Sequence, residues 1–304
     1  MTGPEVAVIG VASSAGTHHA GQERAPAALR SAGLVERLRS AGVVVVDRGD
    51  VVESVFAPDD FPSTARSLDR VVEVATAAAD AVSADLGEGR LPLVLGGDCT
   101  ITLGVMAGVL RHHSDAGLLY FDGDADLATP GTTSSGVLDA MGIAHLLGLA
   151  DNALSRLGPC WPLLADERLV LFGYEKGTPE THLEVFLAAR PALARFADVE
   201  VRADPVTTAR QALARLQESA GHLIVHFDVD AVDSRDLPLA NFPHYGTGVP
   251  LVTAGEALVV FLGAPELAAV VLTEINPSYE PSGRALARYV ETVGGALATC
   301  LGNR

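Results

Sequence analysis

Leu118-Leu119-Tyr120-Phe121-Asp122-Gly123-Asp124-Ala125-Asp126 begins as an apolar strand and ends in carboxylates at every second position. Side chains of a strand point alternately to opposite faces, so while the chain stays extended Asp122, Asp124 and Asp126 share one side. Like charges stacked on one face repel unless a cation or protons lie between them. A divalent metal is the simplest reason to keep them there. Ile224-Val225-His226-Phe227-Asp228-Val229-Asp230, with Asp233 just beyond, repeats the pattern. Two apolar strands that both end in alternating aspartates point to a polynuclear metal site.

Outward from these two stretches, short apolar runs alternate with helical patterns. The β-rich runs are 6–11, 43–47, 91–95, 118–126, 168–173, 199–201, 222–230 and 268–277. Between them, helices are predicted over 26–30, 67–86, 101–112, 139–149, 207–219 and 284–301, and irregular connections over 48–63, 129–136 and 231–250. Pro26 suits the first turn of its helix. About eight strands separated by helices imply an α/β protein, a mostly parallel sheet covered on both faces in three α/β/α layers. No repeat or linker divides residues 1–304, which read as a single domain. The candidate site residues fall just past strand C-termini, where open α/β sheets place their sites.

The 304 residues are 48% hydrophobic and carry a net charge of −17, which excludes the basic footprint that nucleic acid requires. Such a balance suits a cationic substrate, although solubility alone explains it. Lys176 is the only lysine, a bias read as codon usage and not as function. Cys99, Cys160 and Cys300 are odd in number and widely spaced, which is no disulfide framework and fits a reducing cytoplasm. Met1-Thr2-Gly3-Pro4-Glu5 lacks the basic and apolar regions of a signal peptide, and no apolar run approaches the ~20 residues of a membrane span. The expectation is a cytoplasmic protein with no membrane partner.

Four segments follow one another in order: Gly96-Gly97-Asp98-Cys99, Asp122-Gly123-Asp124-Ala125-Asp126, Asp228-Val229-Asp230 with Asp233, and Thr273-Glu274-Ile275-Asn276-Pro277. Together with the Thr132-Thr133-Ser134-Ser135-Gly136 loop and the Gly246-Thr247-Gly248 turn, they resemble the arginase/agmatinase (ureohydrolase) superfamily over nearly the whole chain. The family pattern is Gly-Gly-Asp-His, Asp-Ala-His-x-Asp, Ser-Phe-Asp-x-Asp and a Glu ahead of Asn-Pro. The resemblance implies an arginase-like three-layer fold and a two-manganese site that hydrolyses a guanidinium to urea and an amine. Carried over by position, Asp122 and Asp228 would bridge the metals. Cys99 and Asp126 would complete one, and Asp124 and Asp230 the other. Glu274 would hold the guanidinium by a charge-assisted pair. The family commonly forms trimers or hexamers, so a homo-oligomer is expected.

The departures carry as much information. Cys99 and Asp124 stand where the pattern has histidine, and Asp139 where it has a proton-shuttling histidine. Six ionised ligands would leave two divalent ions with an excess of negative charge, so some groups are protonated or one metal position is weak or empty. Thiolate suits zinc or iron, carboxylates manganese or magnesium, so one or two ions of either kind are open. Positions that greet the amino-acid end of arginine fall on Ala128 and Val137, which leaves Thr133 and Ser135 to meet a substrate. The expected substrate is therefore a small cationic guanidino, hydroxyguanidino or related amidine compound other than free arginine, as for an N-hydroxyarginine amidinohydrolase. Candidate catalytic groups are Asp124, Asp139 and Glu274.

The plainer readings stand beside these. Cys99 could be a core thiol, a ligand or a nucleophile, Asp98 a turn residue that orients it, and Asp139 a helix cap. His226 could pack in the core or support the ligands, and His18, His19 and His244 lie in loops that could reach the site mouth. His112, His113, His145, His182 and His222 show no ligand spacing. Rival functions are a single-metal or Cys99-dependent hydrolase or lyase of the same fold, and a non-catalytic binding member.

Overall fold

A computed structural model of the chain describes residues 5–59, 62–176 and 183–302. The first four residues and His182 lie outside the described residues. The amino-terminal half runs β1 (Val6–Ser13), α1 (Ala25–Ser31), α2 (Leu34–Ser40), β2 (Val45–Ser54), α3 (Leu68–Gly87), β3 (Leu91–Leu95), α4 (Ile101–Leu110), β4 (Ala116–Phe121) and α5 (Gly142–Leu146). It continues through β5 (Leu169–Tyr174), α6 (Leu183–Ala188), β6 (Ala194–Ala197), α7 (Asp198–Ala203), α8 (Pro205–Gln217), β7 (His222–Asp228), α9 (Leu251–Leu262), β8 (Leu267–Thr273) and α10 (Arg284–Gly302).

The eight strands form one sheet in the order β2-β1-β3-β8-β7-β4-β5-β6, and every pairing is parallel. Alternate residues face opposite layers. Leu93, Leu95, Leu119, Phe121, Val225 and Phe227 pack with residues of α8, α9 and α10, whereas Val94, Leu118, Tyr120 and Ile224 pack with α3, α4 and α5. Burial on both faces is why these strands read as continuous apolar runs. The three-layer α/β/α expectation therefore holds.

Several expectations do not. Residues 199–201 are β-branched at both ends yet lie in α7, because Glu200 at its third position reaches back to the Ala197 N–H and opens a helix there. The strand of that region is β6, just before it. Residues 48–54 belong to β2, an edge strand that pairs with β1 through irregular register, so their Asp and Gly content misreads as a loop. The predicted helix over 139–149 is a short turn at Asp139–Met141 followed by α5. Three further helices, α2, α6 and α9, lie where the sequence pattern predicts none.

The neighbours β3, β8, β7 and β4 hold the centre of the sheet, and the chain crosses from β3 to β4 over two strands that are added last. That crossing makes a switch point at the C-terminal edge, where the loops after four adjacent strands converge.

Candidate metal and catalytic site

Each central strand contributes one element of the site. After β3, Gly96-Gly97 passes so close to β1 that a Cβ on Gly97 would lie 2.1 Å from the Ser13 carbonyl oxygen. Asp98 then accepts hydrogen bonds from Ser13 Oγ, the Gly16 N–H and the Thr100 N–H and hydroxyl. It organises the turn that presents Cys99. The Cys99 Sγ lies 2.6 Å from Asp228 Oδ2, 3.4 Å from Thr273 Oγ1 and 3.8 Å from Asp122 Oδ2. Its backbone N–H donates to Asp139 Oδ1 at 2.8 Å. Asp139 thus joins the cluster through the Cys99 N–H and makes no helix-capping hydrogen bond.

The aspartates after β4 do not share a strand face as expected. The strand ends at Phe121, and Asp122 turns to accept the Asp124 N–H at 2.7 Å. Asp126 adopts a left-handed backbone with φ 47°, and its Oδ2 accepts the Tyr120 hydroxyl. After β7, Asp228 accepts the Asp230 N–H at 2.7 Å, and Asp230 in turn accepts the Gly123 N–H at 3.0 Å. Asp233 stands apart from this cluster and caps the following loop through the Arg235 and Gly246 N–H groups. After β8, Glu274 is also left-handed, with φ 64°, and 1% exposed. Its Oε2 accepts from Gln22 Nε2 at 3.0 Å, and its Oε1 is buried without a partner. Left-handed backbone at two non-glycine residues costs about 1–3 kcal/mol each and concentrates where a site demands a particular aim.

Among the described residues, three groups of donors result, each with its atoms within 4.8 Å of one another: Cys99, Asp122, His226 and Asp228; Cys99, Asp139 and Glu274; and Asp124, Asp230 and His244. Five of the six expected ligands fall in these groups. Asp126 does not, and its Oδ2 accepts the Tyr120 hydroxyl. Thr133 and Ser135 use their hydroxyls within their own loop, accepting from the Ser135, Gly136 and Val137 N–H groups.

Tyr120, Gln22, Thr102 and Glu175, which no motif marks, also reach the cluster, and His226 and His244 join it. A signal was present for Tyr120 and His226. Each lies two residues before an aspartate, and they are register partners on neighbouring strands, with rings stacked at 4.1 Å. Glu175 and Gln22 reach the site only through loops distant in sequence, and no local spacing marks them.

Burial and mutual repulsion set the electrostatics of the cluster. Burial, followed by the charge of Asp124, pushes Asp122 up to about 7. Burial and neighbouring carboxylates push Asp126, Asp139, Asp228, Asp230 and Glu274 upward as well. The Cys99 thiol rises through burial and then the nearby Asp228 and Asp122. Burial lowers His226 to about 3, keeping it neutral. For His244, burial opposes charge, but the hydrogen bond to Asp124 and the charges of Asp230 and Asp124 raise it to about 10. Buried carboxylates at this density, a thiol among them and an orphaned Glu274 oxygen fit a divalent-metal centre.

The profile of the Arginase family matches residues 4–297. An arginase of Brevibacillus brevis is 31% identical over 280 residues, covering 90% of each chain. An arginase of Bacillus caldovelox is 28% identical over 95% of this chain and 96% of its own. Among solved structures, the arginase of Bacillus cereus superposes with a TM-score of 0.84 at 27% identity, covering 97% of this chain and 98% of that one.

Proposed function

This chain belongs to the arginase family, and on that premise we propose that it is a metal-dependent amidinohydrolase which splits the C–N bond of a small guanidino-type substrate and releases urea. The observation that carries this reading is the meeting of the three donor groups at the C-terminal ends of adjacent central strands.

Asp122 and Asp228 belong to one donor group at the centre of the site and would hold a metal together with Cys99. Asp124 and Asp230 hold a second position on the β4–β7 side. Divalent ions held there would lower the pKa of water and so supply a hydroxide nucleophile. Glu274 orients the substrate: with Oε2 occupied by Gln22, its Oε1 is left to accept a guanidinium N–H. Asp139 lies against Glu274 and the Cys99 N–H, where burial and the charge of Asp98 push its carboxyl upward. It is placed to protonate the departing nitrogen, so that water and guanidinium yield urea and an ammonium product. Asp126, held by Tyr120, supports the same centre from the β4 side. Thr133 and Ser135 are the polar side chains of the 129–136 loop that line the substrate's approach, where Ala128 and Val137 offer no side-chain hydrogen bond. That combination favours hydroxyguanidino or other modified guanidino compounds over free arginine.

Manganese is the ion best suited to the carboxylate-rich position, with zinc or iron suited to the thiolate one. We propose that the chain works in the cytoplasm as a homo-oligomer, trimer or hexamer, a reading supported by the odd, widely spaced cysteines and by the family resemblance. Val252 and Val259, seven residues apart on α9, are exposed and offer an apolar contact face. Among the described residues no helix is long and apolar enough to cross a membrane.

The test is incubation of the Mn2+-loaded protein with arginine, N-hydroxyarginine and agmatine, with urea measured and particle mass read by light scattering. Urea from a guanidino compound, lost on chelation and restored by metal, is the expected result. Full turnover in protein that elemental analysis finds metal-free would overturn the reading.

One observation favours a second chemistry. The Cys99 Sγ lies 3.7 Å from His226 Nε2, a thiol–imidazole pair from which a nucleophilic cysteine could act.

A further inference from the structure

Among the described residues, two imidazoles reach the carboxylate cluster, and both come from positions other than 99 and 124. His226 projects from β7 two residues before Asp228, and His244 descends from the 231–250 loop. Both are held in the same way. His226 Nδ1 lies 2.8 Å from Thr102 Oγ1, which leaves Nε2 3.5 Å from Asp122 Oδ2 and 3.7 Å from Cys99 Sγ. His244 Nδ1 lies 2.8 Å from Glu175 Oε2, which leaves Nε2 3.4 Å from Asp124 Oδ2. Glu175 is itself fixed by the Thr247 hydroxyl at 3.1 Å. An imidazole with one nitrogen tied to a carboxylate or hydroxyl and the other aimed at anionic donors is the arrangement in which histidine ligates a cation.

The backbone also makes room for the second ring. A Cβ on Gly123 would lie 3.0 Å from both Cδ2 and Nε2 of His244, so the glycine between Asp122 and Asp124 is what lets the imidazole close over Asp124. Each histidine joins a different donor group, His226 with Cys99, Asp122 and Asp228, and His244 with Asp124 and Asp230.

We propose that His226 and His244 are metal ligands, one at each of two cation positions, supplying from β7 and the 231–250 loop the imidazoles that positions 99 and 124 lack. The inference rests on the metal-dependent reading above. It makes the two positions chemically unequal. One is a sulfur, nitrogen and oxygen set suited to zinc or iron, and the other a nitrogen and carboxylate set that also accepts manganese.

Electron spin-echo spectroscopy of the Mn2+-loaded protein reads nitrogen coordination directly, and titration of Mn2+ and Zn2+ reads affinity. Imidazole-nitrogen modulation is expected in the wild type. It should be lost in His244→Ala, with Mn2+ binding weakened by about tenfold or more. His226→Asn should weaken Zn2+ binding by a similar factor. Because His226 is fully buried and stacked on Tyr120, folding of that variant is checked by circular dichroism, and the His244→Ala result stands without it. Mn2+ bound with no nitrogen coupling, together with unchanged affinity in His244→Ala, would leave the metal reading intact and overturn this one. A wild type that binds neither ion would overturn both.

Discussion

Cys99 is in contact with Asp228, Thr273 and His226 at once, and it is 3% exposed. Its spacing after Gly-Gly-Asp marked it as a site residue, but the choice between ligand and nucleophile depends on neighbours that come from β7 and β8. Burial and the charges of Asp228, Asp122 and Asp139 oppose a free thiolate and favour one neutralised by a metal. Cys99→Ser is therefore expected to lower metal occupancy by about tenfold or more, the scale on which metal sites respond to loss of a supporting group. Elemental analysis after dialysis checks this. Normal occupancy with abolished turnover would instead favour the nucleophile. Tyr120 donates its hydroxyl to Asp126 from six residues upstream, a phenol contact that the spacing of the aspartates does not announce.

Among the elements, α4 shows how tightly the site's base is built. Every residue of Ile101–Leu110 is buried, and Gly104 and Gly108 face α3. A Cβ at Gly104 would sit 2.2 Å from the Ala75 carbonyl oxygen, and one at Gly108 would sit 2.6 Å from that of Ala79. Gly104→Ala is expected to destabilise by about 1–3 kcal/mol through overpacking, even though alanine is the better helix former by about 1 kcal/mol. Gly295→Ala in α10 meets nothing within 4 Å and should be neutral or stabilise by about 0.5–1 kcal/mol. Urea unfolding of the two variants separates packing from propensity. A Gly104→Ala protein as stable as Gly295→Ala would refute the close contact. The 199–201 segment makes the complementary point. Its Val-Glu-Val pattern suits a strand, yet the Glu200 cap and the edge position of β6 make it a helix.

For the whole molecule, the cluster of carboxylates is a stability liability until cations occupy it. Asp122 has a folded pKa of about 7 against an ordinary 3.8, so between those values the folded chain holds a proton that the unfolded chain has released. Stability of the metal-free protein therefore falls as pH rises through that window, and the upward-shifted Asp228, Asp230 and Glu274 act in the same sense. In chelator, the melting temperature is expected to be lower at pH 8 than at pH 5. Added Mn2+ or Zn2+ should raise it most at pH 8, where the ligands are ionised. A chelated protein that is equally stable at both values would contradict the buried cage.

The apolar runs, their alternation with helices and the aspartates at strand ends determined the layered α/β fold and the place of the site, because burial on both faces of a parallel sheet leaves a local imprint on every strand. The order of the strands left no such imprint, and it brings β3, β8, β7 and β4 side by side. Only the tertiary structure decided that Asp139 meets Cys99 and Glu274, that Gln22 holds Glu274, and that His226 and His244 close over the carboxylates. These contacts join residues up to 252 positions apart, and their energy depends on distance in space, which no local spacing encodes. The opening stretch shows both halves. Its carboxylates announced a cation site, while the turn after Phe121 and the absent side chain at Gly123 set which of them face His244 and which faces Tyr120.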